Sequence, residues 1–297
     1  MFRNIKELVE QAEEKGLRIS QVMLLNEIET SGRDQQAIID EMTASWLVMK
    51  QAAKKGIQGV ISYSGMTGMD AKRMDAYIAS GHTLTDITFL RAINYAIATN
   101  EVNASMGIIC ATPTAGSCGV LPGVLLALQD RLKKTDEEMV FALFTAGAIG
   151  YVIANNAFVS GAAGGCQAEI GSASAMAAAS AVELAGGTPH QAAHAMAIAM
   201  KNMLGLTCDP LAGLVEVPCI KRNAAGAANA LAAAEMALAG IESRVPWDEV
   251  ILAMYQIGLA MPLNVRETAL GGLAATETGK QWKKMLWNSG PEETTEA

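Results

Sequence analysis

The stretch Met139–Met200, "MVFALFTAGAIGYVIANNAFVSGAAGGCQAEIGSASAMAAASAVELAGGTPHQAAHAMAIAM", carries only two formal charges, Glu169 and Glu183. A segment of that length that is apolar on every side belongs inside a protein. Its Ala and Gly content, beside 5% aromatics and 17 methionines in the whole chain, favours closely packed helices with Met as filler. The longest uncharged run within it, Met139 to Ala154, contains Gly147 and Gly150 and ends on Asn155-Asn156. It falls short of the ~18–20 residues a bilayer span needs, which predicts a buried core helix and no membrane crossing. Thr135 with Glu138 forms a capping box that opens this helix, and Thr188, Pro189 and Gln191 open another that leads to Leu204.

Outward from the block, the chain reads as further helices. Phe2, Ile5, Leu8, Val9 and Ala12 recur at helical spacing before a stop at Gly16, and a second short helix begins near Ser20. A third, Arg33 to Lys55, carries Ile39, Met42, Trp46, Met49 and Ala53 on one stripe and ends at Gly56. Residues 57–69, "IQGVISYSGMTGM", break the pattern with an extended turn. There Ser64 and Thr67 present hydroxyls that suit a carboxylate or phosphate, an ordinary turn being the alternative. Helices follow over Leu84 to Met106, Val120 to Leu132, Cys219 to Gly240 and Pro246 to Met261. Asn100 interrupts an apolar stripe, and Thr112 and Thr114 lie in the loop Cys110 to Gly119, so amide and hydroxyl groups gather near one end of the core. No repeat and no alternation of strand and helix is present. The sequence predicts an all-α bundle with buried central Ala/Gly-rich helices and one short extended loop. Its single domain covers residues 1–280, with scaffold helices over 1–56, and a polar tail occupies 281–297.

Composition narrows the function. A net charge of −8 and the absence of a basic stripe exclude nucleic acid as a partner. The charged, amphipathic start "MFRNIKELVEQAEEKG" does not read as a secretory signal. Five cysteines, an odd number, point to a reducing cytoplasm and to thiols kept free or bound to metal.

Three features carry chemistry. His190 and His194 stand at i, i+4, a metal-ligand spacing, but Lys201 continues the same face, so the pair reads as a solvated stripe. The glycines Gly161 to Gly165 open a helix and suit either a phosphate or a tight helix crossing. A pyridoxal phosphate enzyme would use Lys201 or Lys221 there, yet the strands such enzymes need are missing. The third feature is Cys166, Cys208 and Cys219, each beside Gly or Pro or at a helix start. Buried packing is the ordinary fate of a free cysteine. Against it, Cys166 and Cys219 fall at predicted helix N-termini, where the dipole favours a thiolate, and both have polar neighbours in apolar surroundings. Three thiolates can hold three irons of a 4Fe–4S cluster and leave the fourth open.

At "NEVNASMGIICATPTAGSCGVLPG", "ANNAFVSGAAGGCQAEIGSASAMAAA" and "KNMLGLTCDPLAGLVEVPCIKRNAAGA" the sequence resembles the α subunit of the bacterial iron–sulfur-dependent L-serine dehydratases (L-serine ammonia-lyases), and the resemblance runs through essentially the whole chain. It implies an all-helical catalytic domain whose Cys166, Cys208 and Cys219 ligate a 4Fe–4S cluster with one open iron. It also implies L-serine as substrate, with pyruvate and ammonia as products. The open iron would act as a Lewis acid on the hydroxyl while a base takes the α-proton. Lys221 is the first choice for that base, then Glu169, with a histidine of the partner as an equal contender. Ser64, Thr67, Asn100, Thr112 and Thr114 are the candidate substrate contacts. The family's β portion carries a motif ending in Ser-His-Thr that is absent from these 297 residues, which predicts a separate β subunit. Cysteine desulfidase or threonine dehydratase activity, and a non-catalytic helical assembly subunit, are the alternative readings.

Overall fold

The computed structural model describes residues 1–287. Among these residues it contains thirteen α-helices and no strand, as the all-α reading expects. In chain order they are α1 (Ile5–Lys15), α2 (Ile19–Ser31), α3 (Gln35–Gln58), α4 (Asp70–Ala79), α5 (Ile87–Ala104), α6 (Val120–Leu132) and α7 (Asp136–Asn156). Then come a single turn α8 (Gly161–Gly164), α9 (Ser172–Leu184), α10 (Pro189–Lys201), α11 (Cys219–Leu238), α12 (Trp247–Ala260) and α13 (Glu277–Trp287). The extended loop between α3 and α4 is closed by one antiparallel bridge, Ile61 to Gly68.

Side-chain caps fix several starts, because the first N–H groups of a helix lack internal partners. Asn4 accepts from Glu7 N at 2.8 Å, Asp34 from Gln36 N at 2.9 Å and Asp86 from Thr88 N at 2.7 Å. The two capping boxes are both formed: Glu138 accepts from Thr135 N at 2.8 Å, and Gln191 accepts from Thr188 N at 3.0 Å. Every residue of α9 is buried except Glu183, and the helix is enclosed by α6, α7, α10 and α11. The low-charge block is therefore the centre of the molecule, and Ala and Gly let its helices approach closely.

Four details differ from the sequence reading. Gly56 does not stop α3, which runs on to Gln58. A Cβ there would stand 2.1 Å from the Ala98 carbonyl oxygen, so this glycine lets α3 cross α5. Helix α7 is longer than its uncharged run because the acids of its first turn, Asp136, Glu137 and Glu138, are helical too. By length and composition it is the one helix among the described residues that would suffice to cross a membrane, yet most of its apolar window is buried in the core. The histidine stripe is solvated only in part: His190 is exposed, but His194 is buried, and its Nδ1 accepts from Ser243 N at 3.0 Å and Trp247 Nε1 at 3.3 Å. His190 lies edge-on to both rings, so the face that continues to Lys201 packs against the segment before α12. Finally, α13 runs across the boundary expected at 280/281, and Trp287 Nε1 donates to Ala212 O at 3.1 Å. The rest of the tail expected over 281–297, from 288 onward, lies outside the described residues.

Candidate metal centre

Glycine geometry delivers Cys166. Ser160 caps α8, and Gly165 follows it at φ 78°, a left-handed value that disfavours other residues. A Cβ at Gly165 would also meet Met261 Sδ at 2.5 Å. After Cys166 the chain winds as a π-turn over Gln167–Gly171, the kind of local helix widening that recurs at functional sites. Buried Gln167 then fastens the next segment: its N–H donates to Leu206 O at 3.0 Å and its side chain accepts from Gly205 N at 2.9 Å. Cys208 is held by a second strap, donating from its N to Val265 O at 2.8 Å and accepting from Glu267 N at 2.7 Å. Cys219 opens α11.

All three thiols are buried. The sulfurs of Cys166 and Cys208 and a carboxylate oxygen of Glu169 lie within 4.8 Å of one another. Cys219 stands outside that tight group, yet its thiol is pushed up by burial first and then by the charges of Cys166 and Glu169. The Cys208 thiol also points to Glu169, its Sγ lying 3.9 Å from Oε2. The contact with Cys208, opposed by burial and assisted by the Arg222 charge, lowers Cys166 below the usual thiol range, while the same contact, followed by burial, raises Cys208. The Arg222 guanidinium supports this direction, since its Nη1 lies 3.5 Å from Cys166 Sγ. Burial, with help from Glu267, raises the Glu169 carboxyl, and the Thr114 hydroxyl, donating at 2.5 Å, works against that rise.

Space has been kept open at this point. A Cβ on Gly161 would stand 2.7 Å from Cys208 Sγ, 2.7 Å from Glu169 Oε2 and 3.2 Å from Glu267 Oε2. A Cβ on Gly116 would meet Glu169 Oε1 at 2.9 Å. Soft sulfur donors beside a carboxylate, at a point where two glycines leave no Cβ in the way, fit a thiophilic metal or an iron–sulfur group.

The other residues singled out in the sequence divide. Thr114 reaches the centre through Glu169. Asn100 underlies it, donating to Ala115 O and Gly116 O at 3.4 Å, with its Oδ1 buried and lacking a protein partner. Thr112 is buried nearby in chain, its Oγ1 likewise without a protein partner. Ser64 and Thr67 both donate to Glu216 Oε2, at 2.9 and 3.0 Å. The N–H groups of Gly65, Met66 and Thr67 bond within the loop, to Ser62 O, Ser64 Oγ and Ser62 Oγ. This turn therefore satisfies itself and faces a buried carboxylate, which removes the anion-cradling geometry expected of it. Lys221 is half exposed and pairs with Asp70 at the start of α4, away from the role expected of it.

Sequence reasoning noted Arg222 and Asn223 only as polar neighbours of Cys219 and passed over Asp209, Glu216 and Glu267. Asn223 is buried and ties the loop to α11, donating to Gly116 O at 2.8 Å and accepting from Gly119 N at 2.9 Å. The available signal was a polar residue close to each thiol in apolar surroundings. Helical rotation of about 100° per residue then separates Lys221 from Arg222, and only contacts in the fold decide which one serves the thiols.

Fold and centre together define a class: a helical protein with a buried thiol–carboxylate site suited to a soft metal. Residues 14–274 match the family described as serine dehydratase alpha chain, and the chain belongs to that family. It is 58% identical over 299 aligned residues to the probable L-serine dehydratase alpha chain of Bacillus subtilis, with 100% of both chains covered. It is 42% identical to the L-serine dehydratase alpha chain of Peptoniphilus asaccharolyticus, over 98% of this chain and 100% of that one. It is 39% identical to the L-serine dehydratase TdcG of Escherichia coli, over 92% of this chain but only 61% of that longer protein.

Proposed function

We propose that this chain is the catalytic α chain of an L-serine dehydratase, a lyase that converts L-serine to pyruvate and ammonia. Cys166, Cys208 and Cys219 would hold a 4Fe–4S cluster. The observation that carries this reading is the convergence of buried Cys166, Cys208 and Glu169 from separate segments, in a chain of the serine dehydratase alpha family. The spread of the donors favours a cluster over one ion, because thiolates on different irons need not crowd into one coordination shell. When bound, the cluster would supply Lewis acidity to the serine hydroxyl through its open iron.

The protein's own groups account for binding and proton movement. Glu169, raised by burial and bonded to the Thr114 hydroxyl, is placed to take up the α-proton of serine or return a proton to the departing oxygen. It replaces Lys221 as the preferred base, since the ammonium of Lys221 is committed to Asp70. Asn100 Oδ1 and Thr112 Oγ1, two of the buried polar atoms without a protein partner, are the candidates for substrate contact, whereas Ser64 and Thr67 serve to fix their loop on Glu216. The burial of Cys166, Cys208, Cys219 and Glu169 would keep bulk water from the reacting atoms.

A separate β chain completes the enzyme in this reading, supported by the "alpha chain" names of the fully covered relatives and by the extra length of the Escherichia coli one. A cytoplasmic setting fits five cysteines that are all free. The test is pyruvate release from L-serine, L-threonine and L-cysteine by the anaerobically prepared chain, with and without its β partner. Serine-dependent pyruvate that needs the partner is expected. Preference for cysteine would make it a desulfidase, and full turnover by this chain alone would remove the β requirement.

A further inference from the structure

One side chain touches all three cysteine-bearing segments. Arg222 stands one turn into α11, the helix that Cys219 opens. Its Nη1 donates to Cys166 Sγ at 3.5 Å and to Thr207 O, the carbonyl just before Cys208, at 2.7 Å. Its Nη2 donates to Asp209 Oδ1, just after Cys208, at 2.9 Å. Asp209 is itself anchored, its Oδ2 accepting from Leu273 N at 2.8 Å. Gly272 makes that approach possible: it sits at φ 58°, and a Cβ on it would overlap Asp209. The two side chains are only 16% and 6% exposed, so the pair is far from a solvent-screened surface bridge.

A buried guanidinium whose planar fork is satisfied by a carboxylate and a carbonyl is held in place. Its remaining reach goes to one sulfur. Keeping a charged pair buried is costly: apolar residues of like volume in place of both Arg222 and Asp209 would hold the fold as well, whereas removing one alone leaves the other charge buried and unpaired. The arrangement is better explained by what the guanidinium does for the thiols than by stability alone.

We infer that Arg222, braced by Asp209 and the Gly272–Leu273 turn, is a positioning residue that locks the three cysteine segments in register and hydrogen-bonds the Cys166 sulfur of the bound cluster. This rests on the cluster reading above. A donor to a ligating sulfur favours the more negative, reduced state, so its loss makes the cluster harder to reduce.

The test compares wild type, R222Q and R222K after anaerobic reconstitution with iron and sulfide, reading iron per chain, the midpoint potential by electron paramagnetic resonance, and helical circular dichroism of the metal-free proteins. R222Q is expected to lose about tenfold or more in cluster affinity, and whatever cluster it retains should titrate at a more negative potential. R222K, which keeps the charge but not the fork, should recover part of the affinity. If R222Q does not fold, the R222K comparison decides: weakened loading or a shifted potential with wild-type helicity supports the inference. Wild-type loading and potential in the folded variants overturn it while leaving the cluster reading intact. A wild-type chain that binds no iron overturns the cluster reading, and this inference with it.

Discussion

A methyl group at position 161 would point at the space between Cys208 and Glu169, 2.7 Å from an atom of each. Gly161 does not have a positive φ, so alanine meets no backbone penalty there and the substitution probes space alone. Gly161→Ala is expected to leave the helical fold formed, at a cost of about 1–3 kcal/mol for the local crowding, while cutting iron binding at least several-fold. Thermal melting and iron analysis on the same preparation separate the two effects. Unchanged iron content would mean that the gap beside Cys208 is not where the metal group sits. At this scale the sequence was partly legible. Cys166 and Cys219 drew attention by following glycine and proline at a helix start, although Cys118 stands beside a glycine as well. The role of Arg222 was not legible, since its contact with Cys166 spans 56 residues and depends on how α11 is rotated.

Among the helices, the best-defined polar contact joins α3 to α7. Asp136, in the first turn of α7, accepts from Trp46 Nε1 at 2.9 Å, from Lys50 Nζ at 2.8 Å and from Gln129 Nε2 at 2.8 Å. The bonds from Lys50, Trp46 and Gln129 lower its pKa to about 2. A depressed carboxyl contributes stability that is complete above its ordinary value and fades as pH falls through the folded one. Asp136→Ala should therefore destabilise the protein by about 1–2 kcal/mol at neutral pH, chiefly by leaving the buried Trp46 without its acceptor. The difference from wild type should shrink as pH drops from about 4 toward 2. Denaturant melts of both proteins across that range check it, and a constant difference would contradict the assignment. Helix identities were readable because period and caps agree at Thr135 and Thr188. Two judgements failed for one shared reason: Gly56 as a stop and His194 as solvated both turn on which neighbour lies alongside, and a local pattern does not contain that.

For the whole molecule, the uncharged block forms the interior, and Cys166 and Glu169 lie midway along it, between α8 and α9. There α9, α11 and the segment 262–275 meet through Cys166, Cys219 and Cys208. The all-α architecture followed from composition and spacing, because an Ala/Gly-rich interior has no other economical packing. The site's assembly did not follow, since three thiols separated by 42 and 11 residues have no signature spacing. The pair of Arg222 and Asp209, which touches the Cys166 sulfur and the backbone beside Cys208, is visible only once the chain is folded. The tight group of Cys166, Glu169 and Cys208 by itself also suits a single ion, so metal stoichiometry discriminates most directly. The decisive measurement is iron and acid-labile sulfide per chain after strictly anaerobic purification, for wild type and Cys208→Ala. The account predicts about four of each per wild-type chain and their loss in the variant. One metal ion per chain without sulfide, or an active iron-free protein, would contradict it.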